Sequence, residues 1–197
     1  MTIDLRSAKP IIKKLIYVVV VLVILVLGIG FTGIRLDPIS AGRTSISRGA
    51  MLIRQVSFGQ SEKVDIFNTH DGYATTLVKK WGPFWRKNTT TLSGKASSKM
   101  NIISFINFDD PKLGSGTVLA VLSHDKNVSY LRAGPNSVKY SIKPHVVSVL
   151  SWNQLLTPTA LNAVAYSKNN RTLYKIKNAK IKNGIAISIP IKFYSVN

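Results

Sequence analysis

Cysteine is absent from this sequence, and glutamate occurs once, as Glu62. Without thiols the chain has no disulfides, cysteine nucleophiles, thiolate zinc sites or iron–sulfur ligation. Acidic residues total only 8: Asp4, Asp37, Glu62, Asp65, Asp71, Asp109, Asp110 and Asp125. Paired-carboxylate chemistry of the glycosidase kind has little to draw on. Serines are plentiful, but no GxSxG or SxxK surrounds them. The run KLGSG from Lys112 to Gly116 lacks the spacing and the Lys-Ser/Thr ending of a phosphate-binding loop. These absences point away from an enzyme and call for no metal or cofactor.

Positive charge is abundant. Lys and Arg number 27, giving a formal charge of +19, a bias that draws a protein towards polyanions or anionic membrane surfaces. The other dominant feature is LIYVVVVLVILVLGIGFTGI, Leu15 to Ile34, a charge-free run bracketed by Lys13-Lys14 and Arg35. At about 1.5 Å per residue, a helix of this length crosses a hydrocarbon core. The expectation is a short basic cytoplasmic leader over 1–14 and a transmembrane signal-anchor helix over 15–34.

A cleavable signal peptide has a similar layout: Arg6, Lys9, Lys13 and Lys14, then an apolar core, then the small-x-small run Gly28-Ile29-Gly30. Apolar residues continuing through Phe31 and Ile34 favour retention over cleavage near Gly30. Gly28, Gly30 and Gly33 would let a neighbouring helix approach closely. Flanking charge is nearly balanced, since Arg35, Arg43 and Arg48 follow the run. The Lys13-Lys14 pair and the signal-like leader favour a cytoplasmic amino terminus and an extracytoplasmic carboxyl domain at the cell membrane.

Residues 35–49 (RLDPISAGRTSISRG) show no sustained period and read as a juxtamembrane linker. From residue 50 to 197 the chain reads as one basic β-rich domain. Short apolar runs start at Met51, Val64, Tyr73, Asn101, Thr117 and His145, separated by turn residues. Near the end, Ile185, Ile187, Ile189, Ile191 and Phe193 alternate with other residues, the period of a half-buried strand, and Pro190 suggests an edge. A single short helix is expected, over 151–156 or 159–164. The fold expectation is mostly β: an antiparallel β-sandwich or small β-barrel following the helix. Segments 118–132 and 161–175 share a strand–turn–strand design at an offset of 43 residues. A propeller has that period, but two ordinary hairpins fit the short chain better.

His70-Asp71 and His124-Asp125, with His145, hold the elements of a metal or acid–base site. Both pairs stand in turn contexts, NTHDGY and SHDKN, where Asp and Gly supply turn geometry. The turn reading is preferred. The most distinctive constellation is Lys79-Lys80-Trp81-Gly82-Pro83-Phe84-Trp85-Arg86-Lys87, three large rings about a Gly-Pro turn with cations on both flanks. Such a loop suits anionic head groups at a membrane interface, an anionic glycan, or stacking on single-stranded nucleic acid. The bland reading is a hairpin whose tryptophans fold inward to cap the sheet. A second basic cluster, Lys168, Arg171, Lys175, Lys177, Lys180 and Lys182, reads chiefly as a solvated sheet face.

The sequence thus predicts a noncatalytic single-pass membrane protein. Its basic domain would be a scaffold or adaptor subunit of a membrane or envelope assembly. The expected partners are the lipid bilayer, other subunits of that complex, and anionic lipid or glycan. With the topology reversed, the alternative is a tethered nucleic-acid-binding domain facing the cytoplasm.

Overall fold

The computed structural model describes residues 13–23, 28, 33–111, 114–176, 181–182, 185–186 and 191–196. It is mostly β, and its sheets are antiparallel. Sheet A holds β1 (Ile34–Arg35), β2 (Met51–Phe58), β3 (Glu62–Thr69), β4 (Gly72–Trp81) and β5 (Phe84–Gly94), in the order β1-β5-β4-β3-β2. Sheet B holds β6 (Met100–Asp110), β7 (Gly114–Ser123) and β10 (Val147–Trp152), with β7 in the middle. Sheet C runs β15-β12-β11-β8-β9, built from β8 (Tyr130–Ala133), β9 (Val138–Ser141), β11 (Val164–Tyr166), β12 (Thr172–Ile176) and β15 (Phe193–Ser195). A separate pair joins β13 (Ile181–Lys182) to β14 (Ile185–Ala186).

Sheet B lies between the other two. Val118, Ala120 and Leu122 of β7, with Ile103, Ile106 and Phe108 of β6, pack on Phe58, Val64, Ile66 and Leu77 of sheet A. The alternate side chains Leu119 and Val121, with Met100 and Leu150, pack on Leu131, Ala133, Ala165, Tyr174 and Phe193 of sheet C. Each fully buried side chain of this kind contributes about 1.5–3 kcal/mol of transfer free energy. The near-continuous apolar run TVLAVL is therefore the mark of a strand with no solvent face. Instead of one two-sheet sandwich or one closed barrel, the fold is two sandwiches sharing a middle sheet. Gly116 allows the closest approach in the first core, since a Cβ there would collide with the edge-to-face pair Phe58–Phe108.

The segment expected to be a linker is packed structure. Ile34–Arg35 form β1, and Pro38–Arg43 form a short helix, α1. Asp37 caps α1 by accepting a 2.9 Å hydrogen bond from the Ser40 amide, and Pro38 occupies its first turn, where a missing N–H costs nothing. That hydrogen bond holds the Asp37 carboxyl below its usual range. Ala41 of α1 packs with Val78 and Trp85, while Ala50, Phe67 and Ala74 form a neighbouring cluster with Ile39, Ile46 and Leu52. These residues cover the outer face of sheet A.

Other expectations need correction. Residues 118–132 do not form a hairpin: β7 pairs with β6 and β10, whereas β8 pairs with β9 and β11 in another sheet. Residues 161–175 do contain one, β11–β12. The short helix in this region is α2 (Pro158–Leu161), capped by Thr157, and residues 151–152 end β10. Ile185–Ala186 and Phe193–Ser195 belong to different sheets, and residues 187–190, Pro190 among them, lie outside the described residues.

Residues 13–23 are helical, as is Gly28. Residues 24–27 and 29–32, with Gly30, lie outside the described residues, and among those described no helix is long and apolar enough to cross a membrane. Gly33 is a turn residue at φ 71° and Ile34 a strand residue, so neither continues a helix. A positive φ explains glycine at position 33 without a partner helix.

Candidate functional site

The β4–β5 hairpin carries the aromatic and basic constellation. Its strands pair Lys79 with Arg86, Lys80 with Trp85, and Trp81 with Phe84 across the two-residue turn Gly82-Pro83. Gly82 has φ 59°, the positive value needed at the first central position of a type II′ turn. The turn is thus fixed by its two residues.

The three rings divide between inside and outside. Trp85 is only 8% exposed, packed beneath α1 with Ala41 and Val78, and Lys63 Nζ stands 5.2 Å from its ring centroid. Phe84 is half-buried. Trp81 is 63% exposed at the hairpin tip. The inward-capping reading therefore describes Trp85 and fails for Trp81.

Beside the tip is an open cavity of about 410 Å³ lined by Lys79, Lys80, Trp81, Arg86, Lys87 and Asn88. The four cations are not equivalent. Lys79 donates a 2.7 Å hydrogen bond to Asp110 Oδ2 and lies 3.1 Å from Glu62 Oε1. Burial works against its ammonium charge, but the Asp110 and Glu62 carboxylates outweigh that and hold its pKa above the ordinary value. Glu62 is completely buried, so Lys79 is chiefly a structural counterion joining sheet A to sheet B. Among the described residues, Lys80, Arg86 and Lys87 pair with no carboxylate. They supply positive charge to a cavity that Trp81 also lines.

A further relation was invisible in the sequence. β1 pairs with β5 in the register Ile34↔Arg86 and Arg35↔Trp85. With Lys79↔Arg86 and Glu62↔Lys79, one row across sheet A reads Ile34, Arg86, Lys79, Glu62. The end of the apolar run thus lies beside the cavity. Asn88, Asp110 and Glu62 are members of the site environment that local pattern reading missed, because cross-strand and cross-sheet partners carry no nearby signal.

The three histidines do not all converge, as a single metal or acid–base site would need. His70 and Asp71 form the exposed β3–β4 turn, with Nδ1 and Oδ1 2.8 Å apart. His124 and His145 do meet, their Nδ1 atoms 3.1 Å apart, and His145 has φ 60°. The register Leu122↔Val147 brings their strand ends together. Asp125 is engaged elsewhere, accepting from the Asn127 amide at 2.9 Å and from Tyr174 Oη at 2.7 Å. Burial opposes the Asp125 charge, but these donors hold its carboxyl below its usual range, and burial with the same hydrogen bond pushes the Tyr174 phenol up to about 12. Among the described residues no cluster of three or more metal-ligating side chains forms.

Of the second basic cluster, Lys168, Arg171 and Lys175 are exposed, while Lys177, Lys180 and the Lys182 side chain lie outside the described residues. Elsewhere on sheet C, Tyr130 and Tyr166 stack at 5.0 Å, and Arg132 and Lys139 lie over Tyr130 at 5.9 and 4.2 Å. Those two cations are occupied by rings of the protein itself. No family model matches the chain, nor does any curated protein or solved structure.

Proposed function

We propose that the chain is a single-pass membrane protein held by the apolar sequence that starts at Leu15 and precedes Gly33, with its amino terminus cytoplasmic and its β domain extracytoplasmic. The domain is a noncatalytic scaffold or adaptor subunit of an envelope assembly, and its positive surface engages anionic components there. One observation carries the anchoring: the nine consecutive residues Leu15 to Val23 are all large and apolar, and each is 47–72% exposed. An apolar helix uncovered on every side requires a nonaqueous surrounding or a partner. The formal charge of +19 and the cations Lys80, Arg86 and Lys87, which pair with no carboxylate among the described residues, support the second part of the reading.

The test is alkaline extraction of membranes from cells expressing the full chain, followed by protease treatment of intact cells and spheroplasts. Retention in the membrane, with digestion of the carboxyl domain only in spheroplasts, is the expected result. Release by alkali overturns the anchor. Protection in both preparations reverses the topology and favours the nucleic-acid reading, because the domain would then face cytoplasmic phosphates.

A further inference from the structure

We infer that the β4–β5 tip and its adjoining cavity bind the anionic headgroup of a phospholipid in the bilayer that holds the chain. The inference rests on the membrane-anchor reading and adds a site, a ligand class and an orientation of the domain.

Placement is the first argument. The charge-free sequence 15–34 joins the fold at Ile34, directly across from Arg86. Adjacent strands lie about 4.8 Å apart and each residue advances about 3.3 Å, so Phe84 is within about 10 Å of Ile34. The point where the charge-free sequence enters the fold and the Trp81–Phe84 tip therefore lie at the same end of β5. Trp81 is the exposed ring at that end, and an indole flanked by Lys and Arg suits the depth of the headgroups.

Charge is the second argument. Lys79 and Arg86 are directly opposed in the strand register, a like-charge pairing that works against the hairpin. Glu62 and Asp110 compensate Lys79, but among the described residues no carboxylate compensates Arg86, Lys80 or Lys87. A phosphodiester in the cavity supplies the missing counter-charge: Arg86 presents a planar donor fork, and Lys80, Lys87 and the neutral Asn88 amide line the same cavity. Shape is the third argument. The rigid turn holds Trp81 at the rim while buried Trp85 anchors the same hairpin to α1, so the tip is preorganised rather than folding on contact.

The experiment uses the full chain reconstituted in vesicles of phosphatidylcholine alone or mixed with phosphatidylglycerol, with insertion checked by flotation. Brominated acyl chains should quench a tryptophan component that disappears in Trp81→Phe. Energy transfer from tryptophan to dansyl-labelled lipid should show preference for phosphatidylglycerol over phosphatidylcholine on the order of 100-fold, from about fivefold for each of three cations. The variant Lys80→Gln/Arg86→Gln/Lys87→Gln should lose that preference without any fall in melting temperature, and Lys→Arg changes at positions 80 and 87 should retain it.

A chain that floats with the vesicles but shows no Trp81-dependent quenching, or no headgroup preference, overturns the site and leaves the anchor standing. A chain that does not float removes the anchor and the site together. Displacement of the labelled lipid by inorganic phosphate, a sulfated glycan or an oligonucleotide at lower concentration than phosphatidylglycerol overturns the lipid as ligand.

Discussion

Replacing Lys79 by methionine isolates a fully buried carboxylate. Glu62 has no solvent exposure, neither of its oxygens has a hydrogen-bond partner among the described residues, and the Lys79 ammonium at 3.1 Å is its counterion. Removing one member of a buried pair costs about 3–5 kcal/mol, because the remaining charge is left without compensation. The Lys79 and Asp110 side chains retain 26% and 22% exposure, which places the cost near the lower limit, about 3 kcal/mol. With a urea slope of about 2 kcal/mol per molar, the unfolding midpoint should fall by about 1.5 M. The assay is urea unfolding of the full chain in mild detergent, followed by tryptophan fluorescence. The double variant Lys79→Met/Glu62→Met removes both charges of the buried pair and leaves only the partly exposed Asp110 without Lys79, so it should return to within about 1 kcal/mol of the wild type, since apolar residues of similar volume replace such pairs well. A single variant costing less than about 1 kcal/mol, or a double variant no more stable than the single one, would refute this account of sheet A meeting sheet B.

Three other expectations test separate parts of the fold. Thr117→Val removes a hydroxyl that donates to Gln154 O and accepts from the Leu156 amide, both at 2.8 Å. Leaving those two backbone groups unpaired should cost about 2–4 kcal/mol by denaturant unfolding. Asp65 is buried, with Oδ1 accepting from Gln55 Nε2 at 2.7 Å and Oδ2 unpartnered among the described residues, and burial raises its pKa above 3.8 despite that bond. The folded state therefore holds its proton more tightly, and the contribution to stability falls as pH rises from 3.8 through the folded value. Asp65→Asn should raise the neutral-pH unfolding midpoint and leave the acid midpoint nearly unchanged. Tyr174 should be resolved in an ultraviolet titration as a phenol ionising near 12, with the folded state losing stability as pH rises through the interval from 10.0 to about 12; Asp125→Asn should narrow that interval.

Legibility followed the range of the interactions. β2, β3, β4, β6, β7 and β10 were marked by β-rich apolar runs, because burial selects those side chains locally. The sheet to which each belongs depends on distant pairings such as Tyr130 with Tyr166, which no local window contains. The start of β5 was legible in the hairpin reading of residues 79–87, but its KNTTTLSG stretch escaped notice since it has no apolar alternation; its threonines were the available signal. α1 escaped because it buries Ala41 and Gly42, leaving no apolar stripe for a periodicity reading, although Asp37-Pro38 spelled its start. At the candidate site, the cations and rings were legible as a cluster. Their division into buried Trp85, exposed Trp81 and neutralised Lys79 required packing from α1 and sheet B. The meeting of His124 with His145 was equally a matter of strand register.

The buried stretch of β7 has a consequence for how the domain opens. Residues 116–123 are buried and contribute alternately to both cores. Neither sandwich can come apart without exposing a face on which the other depends, so the two should behave as one cooperative unit. Backbone amides of β7 should exchange with solvent deuterium only through global unfolding, while the edges at β2 and β9 exchange through local fraying.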